Sequence, residues 1–411
     1  MDENLSWKIV YLATIFSLII MGIAYYFIAP RESPFFTEEK MEKIAEFKTA
    51  RIAGRKKGEK VWEFFAKEGW TAKDREITYL YEVSKGKIYK DGDLVVSDLS
   101  APWAKAYRHS EIVEAFGHPE GKKEGRSKLH AYLELGKISK DESNHGREWT
   151  KLTANYLKYI PAEKCSIIEG DVELQKNDSS ISSQKIKVDH EQKVADISEE
   201  IRLKRKDGFL VSDRLKYISD EERLEADGHV TLNVSEGQLK TQVKSKHASF
   251  YTDIAKDVSF LGSLEALQGK KLAIAQAGVY SQEKKELVMK GEVKAIFEKA
   301  QVVLKEETVQ NLKNPEAQGI LKEKTILTSN QLIFSTRNGD AQARGSVYVT
   351  QKGREAKSEL ALYNEEEEIL TLTGNVFMKK EKEWVSAEKV MVSVRDETFE
   401  AIGAVEAEFK L

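Results

Sequence analysis

The residues of this chain best suited to chemistry are seven histidines, a single cysteine and a run of four glutamates. His109, His118, His130, His145, His190, His229 and His247 are scattered, with no H-E-x-x-H pair and no metal-ligand spacing, which reads as solvated or turn histidines. Cys165 has no second cysteine for a disulfide or a redox couple, and a lone thiol of this kind is commonly a small structural apolar group. Glu365 to Glu368 fall at a turn and so do not align on one face, as a polysaccharide-cleaving pair on a β-solenoid requires. Neither G-x-x-x-x-G-K-[ST] nor G-x-G-x-x-G occurs, so nucleotide chemistry would belong to a partner. The basic tract Arg51 to Lys60 reads either as a contact for lipid head groups or as a solvated loop. With 65 basic against 68 acidic residues and a net charge of −3, the chain lacks the basic excess of a nucleic-acid binder. The expectation is a protein that is not an enzyme, with no cofactor, no metal and no nucleic-acid partner. The chemistry left to it is apolar contact.

That contact is organised by a repeat. In the run Ser358 to Met378 a small residue (Ser358) is followed by an aromatic (Tyr363), a glycine (Gly374) and a valine (Val376) at offsets of five, eleven and two. The same offsets give Ala154, Tyr159, Gly170, Val172; Ser212, Tyr217, Gly228, Val230; and Ala275, Tyr280, Gly291, Val293. They also give Ser329, Phe334, Gly345, Val347, and Ala387, Val392, Gly403, Val405. The last three glycines fall 29 residues apart, and a period in this range marks a repeat architecture. Two eroded units follow the spacing: Ser183, Val188, Glu199, Ile201, and Tyr251, Gly262, Leu264. The unit due near Glu316 is not recognisable. Around Gly374, residues Leu370, Leu372, Val376 and Met378 alternate with Thr371, Thr373 and Asn375, the period of a half-buried antiparallel strand. A glycine in mid-strand implies a bulge, a sharp bend or a close backbone approach.

At 411 residues the chain exceeds the size of one growing core, so several domains or an extended array is expected. Ile9 to Ile28 is uncharged, and its length at about 1.5 Å per residue spans the roughly 30 Å of a bilayer core. It is read as a transmembrane helix, against the competing reading of a cleaved signal peptide; Lys8 and Arg31 do not decide its orientation, and only the resemblance given below makes residues 1–8 a short cytoplasmic segment. Thr37 to Ala50 fits either a short amphipathic helix or the approach to a strand. From Gly58 the pattern is β, and Asp91-Gly92 is a two-residue hairpin signal. Asp207-Gly208, Asp227-Gly228 and Asn338-Gly339 add turn chemistry, and Asn364 to Glu368 a charged hairpin tip. GREWTKLTANYLKY at Gly146 echoes GEKVWEFFAKEGW at Gly58, dividing the β region into a first domain, 29–145, and a repeat array, 146–411. Residues 305–319 are the expected long loop or sub-boundary.

The unit small-x₄-aromatic-x₁₀-G-x-V, the apolar run Ile9 to Ile28 and the two G-x-x-W-type starts together resemble the periplasmic lipopolysaccharide-transport family. The first domain is similar to its membrane-anchored LptC type and the array to its LptA or OstA-like bridge type, in a chain about twice the usual length. The resemblance implies an all-β fold, an antiparallel β-jellyroll of stacked ~29-residue repeats behind one N-terminal transmembrane helix. It implies an inner-membrane, single-pass protein with its bulk in the periplasm, whose open V holds acyl chains. Lipopolysaccharide or a related glycolipid, an ABC-type transporter and further jellyroll modules joined by edge-strand pairing are the partners it implies. The groove residues expected on this reading are Val172, Leu174, Val230, Leu232, Val293, Val347, Leu370, Leu372, Val376, Met378 and Val405. The competing reading is a structural envelope protein, a spacer or adhesin whose apolar face is an ordinary closed core.

Overall fold

The computed structural model describes residues 43–118, 127–135 and 149–409, apart from 177, 207, 238, 254, 299–303, 314 and 394. The apolar run Ile9 to Ile28 lies outside the described residues, as do residues 1–8 and Gly146. Among the described residues no helix is long and apolar enough to cross a membrane. They form an all-β protein.

The described residues open with four long strands, β1 (Lys43–Lys56), β2 (Glu59–Ala72), β3 (Ile77–Lys90) and β4 (Asp93–Tyr107). The stretch left open between helix and strand is therefore extended from Lys43 onward. Asp91 and Gly92 join β3 to β4 with φ of 49° and 87°, the two left-handed residues a type I′ turn requires. Two broken strands follow: β5 (Val113–Phe116) with β6 (Leu129–Glu134), then β7 (Trp149–Ala154) with β8 (Tyr156–Ile160). Both halves of the first break pair with β4, and both halves of the second with β9 (Cys165–Lys176). From β9 the array meanders through β10 (Ser179–Asp189), β11 (Val194–Arg205), β12 (Gly208–Ile218), β13 (Arg223–Glu236) and β14 (Leu239–Tyr251). It continues as β15 (Val258–Gln268), β16 (Lys271–Ser281), β17 (Glu286–Phe297), β18 (Thr325–Ser335) and β19 (Ala341–Gln351). The last strands are β20 (Arg354–Asn364), β21 (Ile369–Lys380), β22 (Glu383–Ser393), β23 (Thr398–Ile402) and β24 (Glu406–Glu408). Among the described residues all pairings are antiparallel, and the hydrogen-bonded ladder continues directly from β6 to β7 and from β17 to β18.

Each strand of the array is interrupted at its middle. Register slips between Asp227 and Val230 on β13, where Gly228 and His229 have φ of 71° and 38°. On β21 the slip lies between Thr373 and Val376, with Gly374 and Asn375 at 83° and 47°. A pair of left-handed residues turns the strand sharply, and glycine takes the first place because a Cβ on Gly374 would lie 2.9 Å from Cβ of Glu359 on β20. The residue that crowds it directly follows the small residue of its own repeat, Ser358. Asp227-Gly228 is thus a bend inside a strand, where its composition reads as a hairpin turn. The eroded unit keeps the geometry without glycine, since Glu199 and Glu200 are also left-handed, at 65° and 54°.

The slip also explains the odd offset of five. In a regular strand, residues five apart face opposite ways. The bulge after the small residue shifts the alternation by one, so Ser212, Leu215 and Tyr217 all point inward and are buried. In the eroded unit that seemed to begin at Tyr251, the inward places belong to Ser245, Ala248 and Phe250. The longer hairpin before Val258 displaces the glycine by one position, which is why the fixed offset selects Tyr251.

Candidate functional site

Bending every strand at the same level folds the sheet lengthwise into a trough with one apolar interior. Its floor is a ladder in which each repeat's Val, Ile or Leu faces the next repeat's small residue. The pairs are Val172 with Ser183, Ile201 with Ser212, Val230 with Ser245 and Leu264 with Ala275, followed by Val293 with Ser329, Val347 with Ser358 and Val376 with Ala387. All are buried. The small partner is needed because the two walls converge there. Ser245 and Ser329 donate to the carbonyls of His247 and Gln331, whereas the hydroxyls of Ser183, Ser212 and Ser358 are enclosed without a partner.

The hairpin tips form two lips, and polar side chains tie one lip to the other. Tyr217 Oη donates to the Leu135 carbonyl at 3.0 Å, and Arg205 Nη2 to the Tyr251 carbonyl at 2.5 Å. Lys285 pairs with Glu236 at 2.9 Å, Gln268 Nε2 donates to the Ser335 carbonyl at 3.1 Å, and Lys271 pairs with Glu365. Burial raises the Glu365 carboxyl against the lowering effect of Lys271, and burial also raises Tyr363 beside it. Nearer the N-terminus Lys56 pairs with Glu111 at 2.9 Å, and Lys90 Nζ donates to the His190 carbonyl at 2.9 Å. Tyr159 Oη donates to the Tyr89 carbonyl at 3.2 Å; burial pushes this phenol up to about 12.

The 305–319 stretch, expected as a loop, holds two short helices, α1 (Glu306–Asn311) and α2 (Pro315–Leu321). It leaves the sheet at one lip, between β17 and β18, and is fastened to the other. The Lys305 amide and the Thr308 hydroxyl both donate to the fully buried Glu368 carboxylate, Lys305 Nζ donates to the Glu366 carbonyl, and the Lys313 amide donates to Glu397. The insert is a strap across the mouth.

Beneath the ties lie cavities. One of about 370 Å³ is lined by Leu174, Ile181, Ala195, Ile197, Leu203 and Leu224, with Lys176, Arg205, Glu222 and Asp253 at its mouth. A pocket of about 50 Å³ adjoins it through Leu203 and Arg205 and reaches Leu232 and Phe250. A third, of about 180 Å³, is lined by Phe297, Leu327, Leu332, Phe334, Leu370 and Leu372, below the bridge of Lys271 and Glu365. The first volume falls in the ~300–1,000 Å³ range of small-molecule sites.

The expected groove residues thus divide by depth. Val172, Val230, Val293, Val347 and Val376 belong to the sealed floor. Leu174, Leu232, Leu370 and Leu372 line the cavities, and Met378 packs partly buried against the core. Val405 is exposed between β23 and β24, which pair with β22 alone among the described residues. Arg205, Lys271 and the strap were not legible from the repeat; their only signal is a charged residue ending an apolar alternation.

The histidines do not converge. His109 pairs with Glu76, His229 with Asp213 and His247 with Asp227; His145 lies outside the described residues. His190 is buried against Ser166 at 2.8 Å, and burial holds its imidazole down at about 4. Cys165 is a buried free thiol, raised by burial. No group of three or more metal-binding side chains occurs among the described residues.

Fold and site together define a repeat β-protein folded into an apolar, laterally laced trough. The family described as LptA/(LptD N-terminal domain) LPS transport protein matches residues 151–313 and 242–398, together more than half of the chain, and the chain belongs to it. No curated protein matches at the level of sequence. Solved structures include 14 matching chains. One is LptH, the LptA homologous periplasmic component of the conserved lipopolysaccharide transport device from Pseudomonas aeruginosa. It is 11% identical over 28% of this chain and 82% of that chain, with a TM-score of 0.26.

Proposed function

We propose that this protein is an inner-membrane-anchored periplasmic carrier of lipopolysaccharide or a related glycolipid, built as a β-jellyroll of the family's kind. It would accept lipid from an ATP-driven transporter and pass it along the trough, with no catalysis of its own. The observation that carries this reading is the uninterrupted apolar interior, which offers cavities at two stations along the array of a family of LPS transport proteins. A dodecyl chain leaving a bilayer needs apolar shelter worth roughly 10 kcal/mol, at about 0.8 kcal/mol per CH₂, and a continuous interior supplies it without one trapping site. Lipid entry from the side requires the lip ties to part.

The test is site-specific photo-crosslinking in cells. A probe at Leu370, on the wall of the 180 Å³ cavity, is expected to capture lipid, and one at the exposed Asn375 on the outer face is not. Equal labelling at both positions would sink the assignment. The laced mouth favours a second reading, a structural spacer with a closed core. Mass spectrometry of lipid extracted from the purified protein separates the two, since a spacer carries none.

A further inference from the structure

Arg205 ends β11 at the lip and lines both the 370 Å³ cavity and the pocket beside it. Its guanidinium lies 5.4 Å from the Phe250 ring centroid and spends one N–H on the Tyr251 carbonyl across the mouth. Nε is enclosed and meets no acceptor, and among the described residues no carboxylate lies within ion-pair distance of the group. Burial lowers its pKa, the mark of a desolvated cation. Such a cation is costly unless an anion is supplied, and the planar fork is suited to carboxylate and phosphate oxygens. The carboxylates at the same mouth do not serve. Asp178 and Asp253 are exposed and screened by solvent, Asp253 accepts the Ala255 amide of its own turn, and Glu222 is half-buried on the opposite lip.

We propose that the 370 Å³ cavity is a head-group-selective site for an amphiphile ending in a phosphate or carboxylate, with Arg205 as its anion ligand and Leu174, Ile197, Leu203 and Leu224 around its aliphatic tail. This rests on the carrier reading and adds to it a fixed station, where the polar end of the lipid is held at the lip and the tail points to the floor. Because Nη2 already ties the lips, an arriving anion engages the same group that closes the mouth.

The experiment uses the full chain kept soluble in amphipol and a neutral fluorophore, N-phenyl-1-naphthylamine, displaced by dodecyl phosphate, dodecanoate or 1-dodecanol. The two anions are expected to bind about tenfold more tightly than the alcohol, the effect of one charge-assisted hydrogen bond. Arg205→Gln should remove that advantage, bringing both anions to the affinity of 1-dodecanol in the same variant, whose binding of the alcohol reports that it is folded. The larger of the two anion affinities identifies the head group as phosphate or carboxylate. Leu203→Trp, which fills the cavity, should weaken all three ligands alike. Equal affinities for the three ligands in the native chain, or a preference that survives Arg205→Gln, overturn the head-group site while leaving the carrier reading intact. Failure of all three to bind overturns both.

Discussion

The first four strands and the array bend in the same manner by different means. In the array the vertex of alternate strands is written as glycine followed by a left-handed polar residue, Glu199-Glu200 excepted, and the outer face carries charge. In the first strands the left-handed positions are Thr49, Glu82, Lys85 and Asp98, with no glycine among them. There the outer face holds stacked aromatics: Trp70 on Tyr79 at 4.2 Å, Trp103 on Phe116 at 4.0 Å, and Lys105 over Tyr79, Trp103 and Phe116. Tyr107 and Tyr156 donate to Glu114 beside them, and burial followed by that bond raises both phenols, Tyr107 to about 12. A lengthwise fold can be fixed by backbone freedom at its vertex or by packing on its convex side. Only the first leaves a periodic mark in the sequence.

The largest effect that would sharpen this contrast is steric. Gly374→Val places a branched side chain at φ 83°, against Cβ of Glu359, and should cost about 3–4 kcal/mol from left-handed strain and overpacking. Glu82→Ala, at a site already left-handed without glycine, should cost about 1 kcal/mol or less, since no new Cβ is introduced there. Denaturation midpoints of the two variants measure the difference; equal losses would erase it.

The seam between the two regions gives the next effect. His190, whose carbonyl is held by Lys90 from the first strands, has its folded pKa lowered to about 4 from 6.5. The unfolded chain therefore binds more protons between these values, and stability, complete above pH 6.5, falls as pH drops toward 4. The expected loss is about 3 kcal/mol. Unfolding followed against pH should show this slope, and His190→Phe should flatten it; an unchanged slope would remove His190 from the seam.

The smallest effect distinguishes floor positions within the array. Ser329→Ala breaks a hydrogen bond and should cost about 1 kcal/mol, whereas Ser212→Ala removes an unpartnered hydroxyl and should be neutral or stabilising. Paired stability measurements decide it, and a matching loss at both sites would show that Ser212 is bonded in solution.

The array was legible because its signal is local: a small residue, a bulge and a glycine recur wherever a strand must bend, and period two gives the inward face. Val172, Val230, Val293, Val347 and Val376 face inward and lie deeper than the cavity walls, a distinction periodicity cannot make because it reports a face and carries no depth. Depth comes from convergence of the two walls, which depends on strands far apart in sequence. The ties of Arg205 with Tyr251 and Lys271 with Glu365 were hidden for the same reason. The strap was hidden because Lys305 to Gly319 reads as polar coil until Glu368 gives its first turn an acceptor.

The ties also share a slant. Arg205 at the end of β11 meets the end of β14, Glu236 at the end of β13 meets the turn after β16, and Gln268 at the end of β15 meets the end of β18. Each joins edges three strands apart, an axial displacement of about 14 Å at ~4.8 Å per strand. The seam is therefore a thread cut obliquely around the axis, and any body that follows it must rotate as it advances.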